Sequence, residues 1–371
     1  MVTGSQPPRR AGLPAVAYGA QPFGLLMMAL AVTVTACSSA ASHQPQQSPS
    51  FRSPGHTASA QPAPSGVTGT VPSCPKTGAV EVSTADELTN ALQNARPGQT
   101  IVLRPGVYRG DFTVTTSGTA TTPITLCGSR SAVLQGDSID KGYVLHMDGA
   151  SWWRLLGFTV EGGQKGVVTD WVTHVLIDGL FVHTIGDEGI HLRSFTTDTV
   201  VTKCVVRRTG LLESFFGEGL YVGSAHKNWC RYTRCQPDAS NNDVLSYNDI
   251  SKTTAENIDI KEGTTGGTII GNQFDGAGMV ASASKGWVNV KGNSWTIENN
   301  TGVNSIDNGF EVHQVYPGWG IGNIFKGNHA TVNGPGYGIY VQSKRLQTVV
   351  ECSNKVAGAG AGLSTVGCAT P

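Results

Sequence analysis

IIGNQF occupies residues 269–274, and FKGNHA occupies 325–330. Both place an asparagine fourth, within a strand-length segment. Between them, IENNTG (297–302) does the same. Working outward, the register continues through LLGFTV (155–160), IDGLFV (177–182), VTKCVV (201–206), LSYNDI (245–250) and ECSNKV (351–356). The fourth residues are Phe158, Leu180, Cys204, Asn248, Asn272, Asn300, Asn328 and Asn354. Successive spacings are 22, 24, 44, 24, 28, 28 and 26 residues, and the long one nearly equals two periods.

A β-rich unit of this length cannot bury its inner face alone, so it must stack on its neighbours. No regular leucine signature is present, which excludes a leucine-rich repeat. The expected fold is all-β, a parallel β-helix of about eight coils. Asparagines at one repeated position then form an amide ladder inside a turn, each satisfying the next. Cys204 occupies that column and is expected as a buried, unpaired thiol.

A second set of segments lies between the ladder positions: GIHLR (189–193), GLYVG (219–223), NIDIK (257–261), WVNVK (287–291), GFEVH (309–313) and GIYVQ (338–342). The second and fourth residues are apolar in every one and point inward. Strand alternation puts the third and fifth on one outward face. The third positions read His191, Tyr221, Asp259, Asn289, Glu311 and Tyr340. The fifth read Arg193, Gly223, Lys261, Lys291, His313 and Gln342. A bland solenoid face would carry mostly Thr, Ser, Asn and Val. Acids, bases, amides and tyrosines clustered on the central coils point instead to a carbohydrate site. Just before these strands, Glu188, Glu218 and Glu256 occupy equivalent positions. Stacked carboxylates repel unless they are paired, protonated or bridged by metal, which makes calcium a candidate there.

The whole chain has 371 residues, with 26 Lys and Arg against 26 Asp and Glu, and 14% charged residues. Such a balance excludes broad electrostatic attraction to nucleic acid. Residues 1–37 read as a targeting segment. Arg9 and Arg10 precede an apolar run, Gly24 to Ala36, that is too short to span a bilayer. It ends in Val34-Thr35-Ala36-Cys37, which resembles a bacterial lipobox, so Cys37 is the expected lipidation site. Residues 38–72 are a Ser-, Pro- and Gln-rich linker, and 73–371 form the folded domain. The expectation is a monomer at the cell surface or outside the cell, touching membrane only through a lipid anchor. Export permits disulfides, and the pairs expected are Cys74–Cys127, Cys230–Cys235 and Cys352–Cys368.

At the start of the domain, Thr84-Ala-Asp-Glu87 reads as a capping box opening a helix with Leu88 and Leu92 on one face. This helix would cap the N-terminal end. It is followed by PGQTIVLRPGVYRG (97–110) and PITLCG (123–128). Together these resemble the start of right-handed parallel β-helix proteins of the pectate-lyase-like superfamily, over about residues 80–370.

Polysaccharide lyases break uronate chains by β-elimination, in which a base removes the proton beside a carboxylate and cations stabilise the enediolate. Lys261 and Lys291 start about 4.8 Å apart on adjacent coils, so each is expected to lower the other's pKa and ready one as the base. Arg193 and His313 are expected to neutralise the substrate carboxylate or protonate the leaving oxygen. Tyr221 and Tyr340 are expected to stack on sugars or donate a proton. Glu256, Lys261 and the turn Gly271-Asn272-Gln273-Phe274 resemble the chondroitinase B and alginate lyase group. That resemblance implies Lys261 as base and a calcium-binding Glu256, although Thr254 stands where the group has a second glutamate. Two other readings use the same face. A glycoside hydrolase would employ Asp259 and Glu311, two coils apart, and a uronate epimerase would employ the lyase groups. A non-catalytic reading is a surface lectin or adhesin. Under any of them, the loop at 224–242 is expected to wall the groove.

Overall fold

A computed structural model describes residues 73–75 and 78–370. Cys37 and the linker fall outside the described residues. From residue 79 the chain winds as a parallel solenoid of three sheets, with eleven, ten and ten strands. Each coil gives one short strand to the first sheet, then the second, then the third. Neighbouring coils pair in parallel and in register, as in Ile177↔Val201, Val182↔Val206 and Ile190↔Leu220. The solenoid has ten coils rather than eight. The two extra coils, 100–114 and 124–148, precede the repeat and turn the first corner without its fourth-position residue. In the second, Ser129 and Ser131 hydroxyls bond each other at 2.7 Å. The 44-residue gap is one long coil, because Cys204 N–H bonds directly to Asn248 Oδ1 at 2.9 Å. Its extra length is the loop between Val222 and Val244.

The ladder forms as the repeat predicts. Asn248, Asn272, Asn300 and Asn328 each donate from Nδ2 to Oδ1 of the next asparagine, at 2.9–3.0 Å. Each accepting Oδ1 also takes the backbone N–H of the asparagine before it. The second Nδ2 hydrogen goes to a main-chain carbonyl, such as Leu245 O for Asn272. Every turn polar group in the column therefore has a partner, although all these asparagines are buried. Cys204 is the one free cysteine among the described residues, and it is buried. Burial pushes its thiol up to about 12.

Inside, the alternation works as expected. Ile190, Leu192, Ile258, Ile260, Val288, Val290, Phe310 and Val312 are all buried. Each contributes about 1.5–3 kcal/mol by leaving water. Trp287 and Trp295 fill the core where glycine-bearing coils leave room. At the N-terminal end, the helix Ala85–Gln93 carries the capping box and buries Leu88 and Leu92. It packs against terminal strands of all three sheets. Cys74–Cys127, Cys230–Cys235 and Cys352–Cys368 are disulfides.

Candidate active site

The third sheet carries the outward rows in the register that the segments imply. His191, Tyr221, Asp259, Asn289, Glu311 and Tyr340 are successive partners across it. The face is not open, however. Tyr221 is 8% exposed, Asp259 1% and Glu311 2%, so most of this row is shielded from solvent. A cavity of about 460 Å³ lies over the coils from Tyr143 to Lys261. Phe215 and Phe216 wall one side. The other wall is the disulfide-closed loop, through Ser224, Lys227, Asn228, Arg231 and Tyr232. His191, Arg193, Tyr221 and Lys261 line the floor. Asn289, Lys291, Glu311, His313 and Tyr340 do not reach it.

The charged groups are tightly paired. Asp259 bonds Lys261 Nζ through Oδ2 and Lys291 Nζ through Oδ1, both at 2.5 Å. Burial pulls Lys261 down, but Asp259, Tyr221, Glu218 and Glu256 outweigh it and hold its pKa well above the ordinary lysine value. The expected lowering of Lys261 by Lys291 is therefore corrected: a carboxylate lies between the two ammonium groups. Lys261 Nζ also sits 4.8 Å from the Tyr221 ring centroid. Arg193 makes a fork to Asp170, Nε to Oδ1 at 2.8 Å and Nη2 to Oδ2 at 3.0 Å. It lies over the rings of Tyr143 and Tyr232, 5.2 and 4.3 Å from their centroids. His191 Nε2 donates to Gly223 O at 2.9 Å. Burial, with Arg193 and Lys165 nearby, drives its pKa well below the usual imidazole value. Its Nδ1 is thus the unprotonated nitrogen.

His313 and Glu311 lie outside the cavity lining. His313 Nδ1 donates to Asn289 Oδ1 at 2.9 Å, and Asn289 Nδ2 donates to Glu256 Oε1 at 2.9 Å. Burial pulls His313 down to about 4 and pushes Glu311 up to about 7. Asp259 and Glu311 are both buried, and neither lines the cavity. Tyr340 packs beside the His313 ring instead, 5.5 Å between centroids.

The fold has a counterpart among solved structures. The alginate lyase from Paenibacillus sp. str. FPU-7 is 34% identical, over 78% of this chain and 99% of that one, with a TM-score of 0.73. The chain belongs to this family of pectate-lyase-like β-helix polysaccharide lyases. Pectate lyase Pel9A (14% identical, covering 76% of this chain and 75% of that one, TM-score 0.52) shares the fold. So does tailspike protein 2 of the Escherichia coli O157:H7 bacteriophage CAB120, 13% identical over 76% of this chain and 39% of that one, TM-score 0.53. No family model matches the sequence, and no curated protein does.

The lyase's acidic column differs from expectation. Glu188 is paired with Lys165. The carboxylates that converge are Glu218, Glu256 and Asp259, all buried. They do not fit a calcium ion, which needs six to eight oxygen ligands. Both Asp259 oxygens hold lysines, and Glu256 Oε1 holds Asn289. Only Glu218 Oε2 is buried without a partner among this trio. Burial, and then Glu188 and Glu256, push the Glu218 carboxyl well up.

Lys165, Asp170, Tyr143, His146 and Asp187 were not singled out by the sequence reading. Lys165 and Asp170 lie one coil ahead of Glu188 and Arg193, in the same two columns. Extending the columns back by one repeat would have found both. Phe215 and Phe216 come from a loop without periodicity, and no sequence signal marks them.

Proposed function

We propose that this lyase cleaves a uronate polysaccharide by β-elimination in the cavity, with Lys261 as the base and the Tyr221 hydroxyl as the acid. The observation that carries this reading is the pairing of Lys261 with Tyr221 at the end of a cation-rich cavity. Lys165, Arg193, Lys227 and Arg231 join Lys261 there and outnumber the acids Asp187, Glu188 and Glu218, although the chain as a whole is neutral. A polyanion is the substrate class such a cavity draws in. The name of the Paenibacillus alginate lyase agrees with a uronate.

In this mechanism Lys261 takes the proton from C5 of the sugar. The C4–O bond breaks and its electrons leave on oxygen, where Tyr221 supplies a proton. A C4–C5 double bond remains. Lys291 matters because it keeps Asp259 paired when Lys261 gives up its own proton. Arg193, fixed on Asp170, stands near the substrate carboxylate and favours the enediolate. No step runs through a metal.

Three disulfides in the domain agree with an oxidising compartment. The proposed location is outside the cytoplasm, on a lipid anchor at Cys37. The direct test of function is ultraviolet absorbance on mixing the protein with alginate and with polygalacturonate. Elimination leaves an absorbing unsaturated end. Reducing ends without absorbance would make the protein a hydrolase.

A further inference from the structure

The cavity stops at Lys261, and two loops account for it. The loop after Val222 leans along the solenoid, and His226 ties it down. Its backbone N–H and Nδ1 both bond Glu262 Oε1 at 2.7 Å. Three coils after Val222, the loop following Val312 brings up Tyr316. The Tyr316 ring lies 5.0 Å from the His226 ring and 5.2 Å from the Trp229 ring, centroid to centroid. These three rings make a clasp across the coils that carry Lys261 and Lys291. Beneath it, Asp259, Lys291 and Asn289 are buried and already hydrogen-bonded. In the other direction the cavity runs back four coils to Tyr143, about 19 Å at the strand spacing.

We infer that the clasp makes the cleft blind behind Lys261, so that the enzyme takes its polysaccharide by a chain end and cuts short products from it. A chain bound through its middle would need open groove on both sides of the reacting sugar, and the clasp side is filled. The inference rests on the lyase reading for the position of the cut, but the blind cleft itself is a matter of geometry. Tyr316 is 41% exposed, its ring meets only the loop residues His226 and Trp229 among the aromatic contacts, and it does not line the cavity, so it can be changed without loss of the fold.

The test uses alginate fractionated into long, medium and short chains. The first readout is binding, measured for each fraction by calorimetry. End recognition predicts that half-saturation occurs at one constant concentration of chain ends, so the mass required rises in proportion to length. The second readout is viscosity against ultraviolet absorbance during digestion. Wild type should build absorbance while viscosity barely falls. Tyr316→Ala should lose more viscosity per bond cut and release mid-sized fragments. Binding that follows mass, with mid-sized fragments early from wild type, overturns the blind cleft while leaving the lyase reading intact. End-scaled binding without any absorbance supports the cleft and overturns the lyase reading. Neither binding nor absorbance overturns both. Tyr316→Ala that still cuts only at ends overturns the clasp as the barrier.

Discussion

At Asp259 one carboxylate holds two ammonium groups, and this sets the protonation of the proposed base. A base must be deprotonated to act, and Lys261 is held above the ordinary lysine value. The rate should therefore keep climbing as pH rises into the alkaline range. Asp259→Asn removes the main cause of that upward shift, so the climb should move to lower pH. Kinetic pH profiles of the two proteins check this. An alkaline fall in rate that moves to lower pH in the variant would mean that Lys261 works as an ammonium instead. Arg193 and Asp170 form the other decisive pair. Burial alone would push Asp170 up, but bonds from His146 and Arg193 hold it well below the carboxylate range. Asp170→Asn strands a guanidinium that is 3% exposed. The loss should be about 3–5 kcal/mol, measured by denaturant unfolding. Sequence placed Lys261, Lys291 and Arg193 on the right face, because strand alternation determines which way a side chain points. It did not reveal that Asp259 would hold both lysines, since a salt bridge depends on rotamers that alternation does not specify.

Among the elements, the ladder turn is the most legible in sequence and the most testable. Asn300 accepts two bonds from Asn272 and donates to Ile269 O and Asn328 Oδ1. Asn300→Ala orphans several buried groups at about 1–3 kcal/mol each, so at least about 2 kcal/mol of stability should go. Comparing its unfolding midpoint with that of Ser353→Ala, at an exposed position, checks this. A loss no larger than the control's would mean that the ladder is ornamental. Asparagine revealed this turn because a buried amide needs the same partner in each coil. The walls were less legible. The loop at 224–242 was expected as a wall because it interrupts a repeat, and it is one. That its partner would be Tyr316, three coils later, follows from loop packing, which leaves no period to read.

Across the whole molecule, stacked coils turn positions far apart in sequence into one floor and one column of charge. The site lies over earlier coils than the outward rows suggest, because loops close the later ones. Three lysines, Lys165, Lys261 and Lys291, offset the acids Glu188 and Asp259. The donor atoms left free in the column do not fit a calcium ion. A chelator should change neither the melting temperature nor the rate, and a fall in either would restore a metal to the site. The fold was legible almost throughout because a solenoid repeats its physics every coil, whereas a site is built where the repeat is broken. The central claim is elimination by Lys261. Its most direct test is ultraviolet absorbance and reducing ends recorded together, on a uronate polysaccharide, for wild type and Lys261→Ala. Wild type should form one absorbing end per reducing end, and the variant, with its fold confirmed by circular dichroism, should form neither. Reducing ends without absorbance, or a folded variant as active as wild type, would contradict it.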